Sequence, residues 1–92
     1  VVIAMRDSIY SKVLSNVQEV YARGASLIIV TEENNRDFEK MTENIIYLPE
    51  IEEHLYPFLT ILPLQLLSYY IAVERGEDVD QPRNLAKCVT VE

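Results

Sequence analysis

The chain opens on an unbroken apolar run, VVIAM (residues 1–5), the pattern of a strand covered on both faces in a parallel sheet. Asp7 or Ser8 then supplies a candidate helix cap, and Ile9, Val13, Val17 and Val20 recur at the spacing of one helical face. Arg23 suits the last turn of that helix and Gly24 its stop. A second apolar run, SLIIV (residues 26–30), follows at once. Strand, helix, strand in this order is a βαβ unit, which crosses over right-handed almost without exception.

The next stretch, TEENNRDFEKMTEN, is polar and has room for a single helical turn around Asp37 to Met41. Its length is about the minimum for another parallel crossover. IIYL (residues 45–48) is a third short strand, closed by Pro49. From Leu55 or Pro57 to Arg75 the pattern predicts one long helix. Leu55, Leu59, Leu62, Leu66, Tyr69 and Val73 step by three and four, while Phe58, Ile61, Leu64 and Ile71 make the other side apolar too. A helix apolar all round is expected to be covered by protein all round. Pro63 is expected to kink it or split it in two.

These elements give an α/β class with about three parallel strands and their helices. So few strands rarely close a core alone, and the first one needs neighbours on both edges. The expectation is therefore part of a larger three-layer α/β/α domain, or a piece completed by another chain. No repeat or Gly/Ser linker divides it further.

Residues 55–73 carry no formal charge, which raises the question of a membrane span. Pro57, Pro63, Gln65 and Ser68 speak against one, as do the acidic flanks at Glu52, Glu53 and Glu74. VVIAMRDSIY lacks a basic leader ahead of an apolar core and does not read as a signal peptide. The 92 residues make one domain at most, and chains of this size bury only about 60–65% of their unfolded surface. A net charge of −7 offers no basic face for phosphates, so neither nucleic acid nor an anionic membrane is expected as partner. The single cysteine, Cys88, excludes an internal disulfide framework and is compatible with a cytosolic address.

Dinucleotide, P-loop and common zinc signatures are absent from the sequence. His54, the only histidine, has no spaced partner and reads as a surface residue where a loop enters the long helix, so no metal site is expected. Glu32–Glu33 and Glu52–Glu53 are adjacent pairs that diverge on any regular element and read as solvated surface. No serine stands in a nucleophile-elbow context, and Cys88 reads as a small packed residue.

The last residues, QPRNLAKCVTVE, are different. Gly76 ends the long helix, Asp78 and Asp80 solvate a turn, and Pro82 prevents the helix from resuming. An alternating CVTV then fits a short extended segment. Lys87 lies among Leu85, Ala86 and Val89, where desolvation would disfavour its charged form, as a nucleophilic or basic lysine requires. On spacing alone a snorkelling surface lysine fits as well.

PLQLLSY on the long helix, RGEDVDQPRNLAK after it and the terminal VTVE resemble the C-terminus of the isomerising glutamine–fructose-6-phosphate aminotransferases, also called glucosamine-6-phosphate synthases. Upstream, NVQEVYARGASLIIV resembles the end of the second sugar-isomerase (SIS) subdomain of that family, so the likeness covers the whole chain. It implies the last three strands and closing helices of a five-stranded parallel SIS sheet over residues 1–76, followed by an active-site lid over residues 77–92. It also implies the family's reaction, fructose 6-phosphate plus glutamine-derived ammonia giving glucosamine 6-phosphate at the head of hexosamine synthesis, in a cytoplasmic homodimer that uses no cofactor.

By the same likeness Lys87 is the amine that engages the sugar carbonyl as a Schiff base, and Ala86 lays its backbone against the sugar. Arg83, Asn84 and Leu85, with Val89, fold over the site and wall the ammonia path. Cys88 stands where the family usually carries serine. The family's glutamate base, ring-opening histidine and phosphate-binding loop match nothing in this chain, and His54 does not correspond to that histidine. Residues 1–92 alone are therefore expected to be inactive. The alternatives are another SIS protein, a sugar-phosphate deaminase, deglycase or regulator, and an interaction module that dimerises through its apolar helix.

Overall fold

The computed structural model describes residues 1–80. Three strands, β1 (Val2–Ile3), β2 (Ile29–Glu32) and β3 (Ile45–Leu48), form one parallel sheet in the order β1-β2-β3. Val2 pairs with Ile29, and Ile29 with Ile45, so the pairing begins level across all three. Helix α1 (Tyr10–Ala22) connects β1 to β2. A short 3-10 turn (Glu53–Leu55) leads into α2 (Tyr56–Glu74). Two compact units are present, Val1–Thr60 and the residues from Ile61 onward, with the boundary inside α2.

β3 falls where the IIYL run predicts it, and the sheet is parallel as its apolar runs imply. The first two strands differ. β1 is only two residues long, and β2 starts three residues later than SLIIV suggests and extends through Thr31 and Glu32. All four β2 residues are buried, as befits the central strand. Leu27 is buried just ahead of it and fixed by Thr42, whose hydroxyl donates to its carbonyl at 2.8 Å.

The start of α1 corrects the sequence expectation. Neither Asp7 nor Ser8 is the cap; that position is Ile9, with no side-chain bond. Asp7 closes a turn one step earlier instead, its Oδ1 accepting the Ile9 N–H at 3.1 Å. The far end is as expected. Gly24 sits at φ +86°, its N–H donates to Tyr21 and that of Ala25 donates to Val20, the paired bonds of a Schellman stop. Gly76 repeats the motif after α2, at φ +73° with bonds from Gly76 to Val73 and from Glu77 to Ala72.

One core cluster joins Ala4, Val17, Leu27, Ile29 and Phe38 beneath α1. The segment between β2 and β3 holds a turn rather than a helix, and it delivers Phe38 into this cluster with no exposed surface. The ring meets Tyr10 edge-on at 6.3 Å between centroids, a favoured aromatic geometry. A second cluster unites Met5, Val30 and Leu48 with Tyr56 and Leu59 from the start of α2.

α2 departs most from expectation. It runs as one 19-residue helix with Pro63 inside it, not as two. The expected cover is also missing among the described residues: only Thr60 is fully buried, while Phe58, Leu62, Leu66, Tyr69, Tyr70 and Val73 are about half exposed or more. The stretch Glu53–Glu74 is long and apolar enough to cross a membrane by length and composition, with mean hydropathy 1.4.

Candidate functional site at the carboxyl ends of the strands

Because all three strands run the same way, their carboxyl ends share one side of the sheet. In open α/β sheets ligands bind on that side. The loops that leave it carry Arg6 after β1, Glu32 to Asn35 at the end of β2, and Glu50 to Tyr56 after β3. Arg6, Glu32, Glu50, Ile51, Glu52 and Tyr56 line a shallow cleft there of about 460 Å³.

Glu32 organises this cleft. It is 2% exposed, which overturns its reading as solvated surface, while its neighbour Glu33 is exposed as read. β2 continues two residues past its apolar run, so the Glu32 carboxylate is carried inward and must be satisfied there. Its Oε1 accepts the Arg6 backbone N–H at 2.5 Å and the Tyr56 hydroxyl at 3.1 Å; its Oε2 lies 3.3 Å from Thr31 Oγ1. One carboxylate thus fastens the β1–α1 loop, the end of β2 and the first residue of α2. Burial, then donation to Glu32, holds the Tyr56 hydroxyl above the usual tyrosine range.

A second polar knot lies beside the first. Asn35, 1% exposed, donates through Nδ2 to Tyr10 Oη and to Thr31 Oγ1, both at 2.9 Å, while its Oδ1 accepts the Asp37 N–H. Tyr10 donates onward to Asp37 at 2.5 Å, and Thr31 donates to the Ala4 carbonyl at 2.7 Å. Burial first, then the bond to Asp37, raises the Tyr10 pKa. Among the described residues every buried side-chain nitrogen and oxygen has a partner. Through these bonds the groups hold the loops at the carboxyl ends of the strands.

Glu52 and Glu53 are exposed as expected, and His54 Nε2 lies 3.5 Å from Glu52 on the surface. Among the described residues no group of three His, Cys, Asp or Glu side chains is placed to hold a metal. The turn after Gly76 is solvated as read, Asp78 Oδ1 accepting the Asp80 N–H at 2.9 Å. Lys87, Ala86, Arg83, Asn84, Leu85, Val89 and Cys88 lie outside the described residues.

The described residues thus carry a polar cleft at the carboxyl ends of the strands. All 92 residues align at 51% identity with the glutamine–fructose-6-phosphate aminotransferase (isomerizing) of Chlorobaculum tepidum, covering 15% of that protein. The proteins of the same name from Thermus thermophilus and Thermosynechococcus vestitus are 50% and 55% identical over the same 92 residues, again 15% of each. The chain spans about 15% of the length of these curated relatives. The SIS domain model matches residues 1–75, nearly everything the structure describes, so the chain belongs to the SIS domain family.

Proposed function

We propose that this chain is the C-terminal part of the second SIS subdomain of an isomerising glutamine–fructose-6-phosphate aminotransferase, with residues 1–76 as scaffold and 77–92 as lid. The observation that carries this reading is identity near 50% along the whole chain, the C-terminal stretch included, to relatives bearing that name. The parallel sheet, the exposed apolar helix and the SIS match are what a piece of a larger sugar-isomerase domain would have.

In the parent protein the Lys87 amine attacks the carbonyl carbon of ring-opened fructose 6-phosphate and loses water to give an imine. The imine withdraws electrons from its neighbours and so eases proton movement between the first two sugar carbons. Ala86 lies against the sugar, while Arg83, Asn84, Leu85 and Val89 close over it and wall the path of ammonia. A closed lid keeps bulk water from both imine and ammonia. Residues 1–76 carry that lid through α2 and its Gly76 stop. The parent works as a cytoplasmic homodimer on fructose 6-phosphate and produces glucosamine 6-phosphate, and residues 1–92 alone do not turn over.

The deciding experiment replaces Lys87 by alanine in the full-length enzyme. Glucosamine 6-phosphate formation should fall at least about a hundredfold, as removal of a group acting directly on substrate does, with glutamine hydrolysis retained. Synthesis at the parental rate would sink the assignment.

A further inference from the structure

We draw no further inference here: the strongest candidate, the apolar groove between the free rim of β1 and helix α1, lined by Val2, Ile3, Val13, Val17 and Val20, is an unpaired sheet border, and nothing in the structure shows what covers it.

Discussion

The hydroxyl of Tyr56 donates to Oε1 of Glu32 at 3.1 Å, joining the first residue of α2 to the last residue of β2. The same oxygen holds the Arg6 N–H, so the carboxylate is a junction for three segments at the carboxyl ends of the sheet. Hydrogen bonds to charged groups contribute about 1.5–3 kcal/mol, and an orphaned buried acceptor costs more than a missing pair.

Tyr56→Phe and Glu32→Gln should each lower the denaturation midpoint of the intact protein. The double variant should be less destabilised than the sum, with a coupling on the order of 1 kcal/mol. Strict additivity in that cycle would show the bond to be incidental.

Asn35→Ala should be more damaging than a surface change, because it leaves Thr31 and Tyr10 without their donor and Asp37 without its acceptor. The expected loss is about 1–3 kcal/mol by chemical denaturation. Asn35→Asp keeps the acceptor and removes the donor beside Asp37, so it should not rescue. A variant with parental stability would exclude the network as a structural determinant.

The two glycine stops give a sharper contrast. Nothing lies within 4 Å of a Cβ added at Gly24 or Gly76, so no clash opposes a side chain there. The positive φ alone does, at about 1–2 kcal/mol for alanine. Gly24→Asn should cost less than Gly24→Ala, since asparagine tolerates this region. Equal stability of the two variants, read from thermal unfolding of the intact protein, would rule out backbone strain as the cause.

Alkaline behaviour follows from Tyr10 and Tyr56, whose folded pKa values both lie above the ordinary 10.0. Between the unfolded and the raised folded pKa the native state holds the proton more tightly. The contribution is therefore whole below about pH 10 and is lost as pH rises through the folded values. Tyr10→Phe with Tyr56→Phe should flatten the fall in melting temperature above pH 10. An unchanged slope would rule these hydroxyls out as its source.

Sequence pattern was enough for β3, the body of α1, the Gly24 stop and the parallel βαβ order, because each depends on local periodicity or on one residue's backbone freedom. It was not enough for Glu32, Asn35 and Phe38. All three sit in a polar segment, and their burial arises from tertiary closure: β2 runs two residues beyond its apolar run, and a turn carries Phe38 under α1. The Thr-Glu pair abutting IIV was the available signal, since a strand that continues points one of its next two side chains inward. The extent of α2 was readable, but its exposure was not, because an apolar helix carries no mark of whether its neighbours share its chain. The residues assigned to sugar chemistry, Lys87 foremost, were chosen by family likeness and lie outside the described residues.

The order β1-β2-β3 leaves β1 and β3 each with one unpaired rim among the described residues. Such rims join readily to any extended chain that comes near. If proteolysis cut this segment from its parent, the released piece would carry two sticky borders and a greasy rod. Its fate in a cell would be clumping or clearance by quality control, so attachment to a larger polypeptide would shield both borders from self-association.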